Sequence, residues 1–176
     1  MKQNFVLRDT DIFPDPEFAV SEIYSKRQTV KAIAVRSDGR YGFVTNPVHK
    51  CVLLPGGGAE SSNLEQEVIR ECAEELGCTV RVLRKIAIAE EYRNRDKNQY
   101  ETTCFLVEVT HKNEEDTRTN EEKENELTAI WLTAAEATKK LSSQEQRVRR
   151  GDLAFYNTAF NVIRDYKFWL MYLGKR

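Results

Sequence analysis

Glu67, Glu71, Glu74 and Glu75 crowd the segment Leu64 to Leu76, directly after the glycine triplet Gly56-Gly57-Gly58. A helix turns by about 100° per residue. Over this segment it sets Leu64, Val68, Ile69, Cys72, Ala73 and Leu76 on one side and the four carboxylates on a neighbouring arc. Glu67, Glu71 and Glu75 follow one another at i,i+4, where each like-charged pair costs about 0.2–0.5 kcal/mol. Arg70 is the nearest cation, at the edge of that arc, and Glu71 and Glu75 fall nearest the apolar side, so they are expected to be the least solvated pair. Two readings are open. One is the solvated acidic face of an amphipathic helix. The other is a hard-oxygen cage for a divalent cation such as Mg²⁺, which keeps some of its waters and leaves positions for phosphate oxygens. Selection for helix stability alone would have placed a lysine among these glutamates, which favours the cation.

The surrounding pattern supplies elements to hold such a helix. Asn63 is a suitable N-cap and Gly77 a suitable terminator. Upstream, Thr29–Arg36 and Tyr41–Thr45 read as a β-hairpin around the Asp38-Gly39 turn, and Cys51–Leu54 as a short strand halted by Pro55. The glycine triplet therefore links a strand to the acidic helix. Downstream, strands are expected at Thr79–Ala89 and Tyr100–Thr110, joined by the polar stretch Arg93–Gln99. A charged connector, Lys112–Glu126, leads to a strand at Leu127–Leu132. Thr133 is expected to cap a helix reaching about Leu141, and Asp152 a long last helix ended by Gly174. Residues 1–26, with Pro14 and Pro16, read as an irregular lead-in, and residues 142–176 as a C-terminal helical extension of a single domain spanning 1–176. Strands and helices mix without βαβ alternation, so the class is α+β, a mixed sheet in a sandwich.

Composition excludes several functions. With 27 basic and 28 acidic residues the net charge is −1, which makes no electrostatic case for nucleic acid or a membrane surface. There is no apolar run of membrane-spanning length, and Met1–Asp11 lacks the apolar stretch of a signal peptide. Cys51, Cys72, Cys78 and Cys104 form no C-x-x-C pair and read as reduced core thiols in a cytoplasm.

The glycine loop and acidic helix also resemble the Nudix box, G-x5-E-x7-R-E-U-x-E-E-x-G-U, in which U is bulky and apolar. Arg70-Glu71-Cys72-Ala73-Glu74-Glu75-Leu76-Gly77-Cys78 matches its second half at every fixed position, with Cys72 and Cys78 at the U sites, and Pro55-Gly56-Gly57-Gly58-Ala59-Glu60 resembles its opening. The motif spans Gly56–Cys78, and the wider resemblance covers roughly residues 27 to 141. One departure stands out: the first box glutamate should fall at Ser62 or Asn63, so the loop is one residue short and lacks that carboxylate. Glu60 or Glu65 is the nearest substitute.

The resemblance implies a Nudix-like α/β/α sandwich with a long C-terminal helix. It implies Mg²⁺- or Mn²⁺-dependent hydrolysis of a pyrophosphate bond in a nucleoside diphosphate linked to another moiety. Glu71 and Glu75 would be the main metal ligands, Glu74 would assist, the Gly57 carbonyl would add a ligand, and Arg70 would orient Glu71. A further glutamate after the box is expected as general base: Glu126 first, then Glu124, with Glu90-Glu91 weaker. Arg93, Arg95 and Lys97 form a basic loop that could meet phosphates. Lys26 and Arg27 lie before the first hairpin strand, and Tyr24, Tyr92 and Tyr100 could stack on a base. His49 and His111 read as structural or surface residues. The alternatives are a Nudix-fold binding or regulatory domain without catalysis, and a prenyl-diphosphate isomerase, for which no added cysteine–glutamate pair can be placed. The apolar run Phe168–Leu173 raises the expectation of a homodimer.

Overall fold

The structure is a computed structural model and describes residues 3–46, 48, 50–112, 128–153 and 155–174. Glu124, Glu126 and His49 lie outside the described residues. In chain order the elements are β1 (Gln3–Arg8), α1 (Asp9–Ile12), β2 (Ser25–Val35), β3 (Tyr41–Asn46), β4 (Cys51–Leu53), α2 (Leu64–Leu76), β5 (Cys78–Arg93), β6 (Asn98–Lys112), β7 (Thr128–Leu132), α3 (Ala134–Arg149) and α4 (Tyr156–Tyr172). The sheet runs β1-β5-β6-β2-β3-β4, and β7 also pairs with β3. It is mixed: β1 lies parallel to β5 and β2 parallel to β6, while the remaining pairs are antiparallel.

Both faces of the sheet are covered. On one, Val68, Cys72 and Leu76 of α2 pack against Val30, Ala32, Ala34, Val80, Phe105 and Val107. On the other, Ala137 and Leu141 of α3 and Phe168 and Trp169 of α4 pack against Ile33, Phe43, Leu54, Ala87 and Cys104. Successive side chains along β2 thus serve opposite cores, Val30, Ala32 and Ala34 one and Ile33 the other, as the period of a pleated strand requires. Burying residues such as Leu141 or Phe168 contributes roughly 1.5–3 kcal/mol each. The fold is the α/β/α sandwich with a mixed sheet and a long C-terminal helix expected from the sequence. All four cysteines are buried and free, and among the described residues no helix is long and apolar enough to cross a membrane.

Four expectations about the elements need correction. The lead-in is not irregular at its start. Phe5 and Leu7 turn inward, with Leu7 fully buried and Val6 exposed, and this short alternation adds β1 to the edge of β5. Residues 14–24 contain no helix or strand, as expected. The β5–β6 hairpin is longer than its apolar runs, because its far end is lined by buried polar side chains instead of apolar ones. The helix expected to stop near Leu141 continues to Arg149. It buries Gln144, whose amide accepts from Val52 N at 2.6 Å and donates to Val52 O at 2.9 Å. The last helix begins at Tyr156, because Asp152 serves the turn that closes α3 through its N–H to Arg147 O at 2.9 Å.

Part of the apolar run at the end of α4 packs within the chain. Trp169 is fully buried and donates to Thr138 Oγ1 at 2.8 Å, and the Tyr172 hydroxyl lies 2.8 Å from that of Tyr41.

Candidate active site

The site begins with a gap in the sheet. Strands β2 and β3 pair only at Ala34–Gly42 and Val35–Tyr41, then separate. Further along, the glycine loop takes over the free edge of β2. Val30 N donates to Gly57 O at 3.0 Å, Ala32 N to Pro55 O at 2.9 Å, and Ala59 N to Gln28 O at 2.9 Å. Only glycine fits this approach at position 56: its φ is +131°, and a Cβ there would come within 2.2 Å of Val30 O. Beneath the loop the buried Lys31 ammonium donates to Leu54 O at 2.9 Å and to Gly56 O.

Helix α2 sets its carboxylates against this loop. Asn63 caps it, accepting from Gln66 N at 3.3 Å, and Gly77 ends it at φ +61°. Glu75 accepts from Gly56 N at 2.5 Å. The Glu71 carboxylate lies against the backbone of Gly57, where a Cβ would meet its oxygens at 2.8 and 2.9 Å. Arg70 reaches Glu71 at 2.7 Å, Glu74 at 2.7 Å, Glu67 at 3.0 Å and the Gly58 carbonyl at 3.1 Å. The acidic arc is therefore not without counter-charge. A helical wheel fixes the angle of a residue and ignores the length of its side chain, and Arg70 bends across the arc.

The buried pair of glutamates is also not the expected one. Glu67 and Glu71 are both 6% exposed, while Glu74 and Glu75 are half-buried. Glu67 is drawn in by the Ser61 hydroxyl at 2.7 Å. That bond, the Glu60 backbone N–H and Arg70 hold its pKa down to about 2. Burial instead raises the pKa of Glu71, with Arg70 and Lys31 pulling the other way. Glu71 thus carries less compensating charge than its burial demands.

These groups open onto a cleft of about 550 Å³. Arg70 and Glu71 stand beside Gly58, Ala59 and Glu60 of the loop, Lys26, Arg27, Gln28 and Thr29 of β2, and Tyr100 of β6. The sheet register pairs Arg27 with Tyr100. Of the expected substrate contacts, Arg27, Lys26 and Tyr100 reach the cleft and the others do not. Arg93 requires correction. It ends β5 on the inward-facing side of the strand, is buried, and binds Glu91, Asn157 at 3.1 Å and Asn161 at 2.8 Å. From there its guanidinium backs the Tyr100 ring at 4.4 Å. Arg95 stacks on Tyr156 at 4.4 Å, pairs with Asp96 and lines a separate cleft with Phe13 and Phe18. Tyr24 donates to Asn94 at 2.6 Å and packs on Tyr92. His111 is exposed at the end of β6.

Glu91 cannot serve as a base. It is fully buried and bound by Arg93 and by Arg164 at 3.0 Å. Thr102 links this ion cluster to the cleft, bonding Glu91 at 3.3 Å and lying 2.6 Å from Thr29 Oγ1. Lys31, Ser61 and Thr29 were absent from the sequence-based site. The one signal for any of them was a lysine in the middle of an apolar strand. At the missing box glutamate, Ser62 is exposed and Asn63 caps α2, while Glu60 lines the cleft and Glu65 is exposed.

Among the described residues, no three His, Cys, Asp or Glu side chains converge as a ready-made metal cage, and Arg70 draws three of the carboxylates toward itself. The donor chemistry nevertheless fits a hard divalent cation. It offers carboxylate oxygens from Glu71, Glu74 and Glu75 beside backbone carbonyls, with Glu71 pressed into the space left by the missing Gly57 side chain. The Gly57 carbonyl already accepts from Val30 N, which leaves one lone pair for a cation.

Comparison with known proteins bears on the same residues. The sequence profile of the NUDIX domain matches residues 25–151. Among solved structures, a NUDIX hydrolase from Nitrosomonas europaea is similar with a TM-score of 0.57 and 21% identity, over 86% of this chain and 92% of that one. A UDP-X diphosphatase is similar with a TM-score of 0.52 and 17% identity, over 89% of this chain and 67% of the other. No curated protein sequence matches this chain.

Proposed function

This chain belongs to the Nudix domain family, and from that premise we propose that it is a pyrophosphohydrolase that splits the pyrophosphate bond of a nucleoside diphosphate linked to another moiety, with Mg²⁺ or Mn²⁺ as cofactor. The observation that carries this reading is the Arg70–Glu71 pair clasped against Gly57 and Gly58, in one cleft with Lys26 and Arg27. One wall presents oxygens for a cation, and the facing strand presents cations for phosphate oxygens. The breadth of the cleft suits a nucleotide-sized ligand. That the similar UDP-X diphosphatase shares the fold supports the substrate class.

Glu71 and Glu75 would hold the metal, Glu74 would assist, and the Gly57 carbonyl would complete the protein's share. A divalent cation bound there neutralises pyrophosphate oxygens and makes water a stronger nucleophile. Arg70 keeps Glu71 and the Gly58 carbonyl in fixed relation, so little reorganisation is left for the reaction. Arg27 and Lys26 would take up the phosphate charge, and Tyr100, backed by Arg93, would offer a ring for the base. Glu126 is the proposed general base. The four free, buried thiols support a reducing cytoplasm as the compartment.

The test is product release from a panel of nucleoside diphosphate derivatives, with and without Mg²⁺, for the wild type and for Glu71→Gln, Glu75→Gln and Glu126→Gln. Metal-dependent turnover that collapses in the first two variants is the expected result. Turnover unchanged by Glu71→Gln and Glu75→Gln would remove the assignment. A wild type that binds a nucleotide and turns over none would establish a binding domain instead, the reading favoured by the missing first box glutamate.

A further inference from the structure

We propose that the groove between α3 and the β3–β4 hairpin is a second anion site, built for a diphosphate group and separate from the catalytic cleft. The groove has a volume of about 650 Å³ and shares no lining residue with the cleft that holds Glu71. Lys50, Lys139, Lys140 and Arg147 line it, with Ser143 adding a hydroxyl. Glu136 is the one carboxylate in the lining; it accepts from Thr133 N at 2.8 Å and Thr133 Oγ1 at 2.9 Å in the cap of α3, and Arg40 and Lys140 both act on it electrostatically.

The groove is held in shape by its own bonds. Gln144, buried, bonds both backbone groups of Val52 and pins α3 to β4. Arg147 donates to Lys50 O at 3.2 Å and ties the turn to the helix. Lys50 itself sits at φ +49°, a conformation that non-glycine residues seldom adopt, and the turn holds it there.

Four cations gather in the lining against a single carboxylate. Several surface arginines find acids: Arg36 pairs with Asp38, Arg81 with Glu108, Arg150 with Asp152, and Arg149, two residues beyond Arg147, with Glu145. Among the described residues, Lys50, Lys139 and Lys140 form no ion pair. The helix dipole favours a cation in the last turn of α3, which accounts for Arg147 and leaves Lys139 and Lys140, two turns earlier, without that reason. Four cations around one concavity, with one carboxylate among them, leave a net positive charge that an anion would relieve. A compact ligand with charge on several oxygens meets three ammonium groups and a guanidinium fork better than a single carboxylate does. The volume admits a diphosphate or a whole nucleotide. The near-neutral charge of the chain conceals this local excess.

The experiment is calorimetric titration of the full chain in metal-free buffer at low salt. Inorganic pyrophosphate is the probe in one arm and ADP in the other, which separates a free diphosphate from a nucleotide as the source of the phosphates. The wild type is compared with Lys140→Ala/Arg147→Ala and with Lys26→Ala/Arg27→Ala. Saturable binding of either probe is expected, weakened at least tenfold by the first double variant and by added salt, with little change in the second. The first variant should keep the wild-type kcat within about twofold, because its residues lie outside the catalytic cleft. No saturable binding by the wild type would overturn the proposal, and so would binding lost only in the Lys26/Arg27 variant. Because no metal or turnover is needed, the result stands apart from whether the chain hydrolyses the proposed substrate.

Discussion

Glu71 and Glu91 are both nearly sealed from water, yet burial acts on them with opposite net results. Glu91 is bound by two guanidinium groups, from Arg164 and Arg93, and although its burial is the largest influence its pKa is lowered. Glu71 shares one guanidinium with Glu67 and Glu74, and its pKa is raised. The first cluster sets two guanidinium groups against two carboxylates, Glu91 and Asp165, and joins α4 to β5. The second is short of positive charge and faces a cleft. Where cations match carboxylates the arrangement serves the fold; where they fall short it is poised for something from solution, at some expense in stability.

The contrast can be broken most severely at Arg164. Arg164→Met leaves Glu91 and Asp165 buried without their shared partner and should cost about 3–5 kcal/mol in denaturant unfolding. A loss below about 1 kcal/mol would mean that the cluster is not the structural one. Glu71→Gln should do the reverse. Its unfolding stability in metal-free buffer should equal or exceed that of the wild type, while turnover falls at least about a hundredfold, equivalent to about 2.7 kcal/mol in the barrier.

Between these lie the glycines. Gly57→Ala drives a methyl group into the Glu71 carboxylate and should lower turnover about tenfold, whereas Gly58→Ala, with open space around it, should leave both turnover and stability nearly unchanged. Equal effects at the two positions would contradict the placement of Glu71.

The smallest effect separates Glu71 from its neighbour Glu67 by pH. A carboxyl group with a raised folded pKa destabilises the fold above that pKa, and the penalty disappears as acidification protonates it in both states. The stability gain of Glu71→Gln should therefore be present at neutral pH and vanish below about 4, near the unfolded value. Glu67 is depressed to about 2, so its contribution is present above the unfolded pKa and is lost as pH falls from about 4 toward 2. Glu67→Gln should thus lower stability at neutral pH and converge with the wild type in acid. Parallel pH curves for the two variants would erase the distinction.

Local chemistry was legible in the sequence wherever it depends on neighbours along the chain. Asn63 and Gly77 mark the ends of α2 to the residue, Asp38-Gly39 turns the hairpin, and the box from Arg70 to Cys78 names the family. These features rest on backbone conformations and i,i+4 contacts that any observer of the sequence can count. Contacts between distant segments were not legible. Arg93 read as a loop cation until α4 supplied Asn157, Asn161 and the Glu91–Arg164 pair around it, and Lys31 gained its role only when the loop at Leu54–Gly56 folded across β2. Asp152 illustrates the same limit, since its N–H closes α3 and its carboxylate pairs with Arg150 before α4 begins.

By itself, then, the sequence determined the acidic helix, its glycine loop, the mixed sheet and the family. Tertiary structure decided which of the charged side chains face the cleft, which are locked inside, and where surface cations gather around a groove. The physical reason is that a charge is governed by the full set of groups around it in space, and most of those groups come from elements far away in the chain.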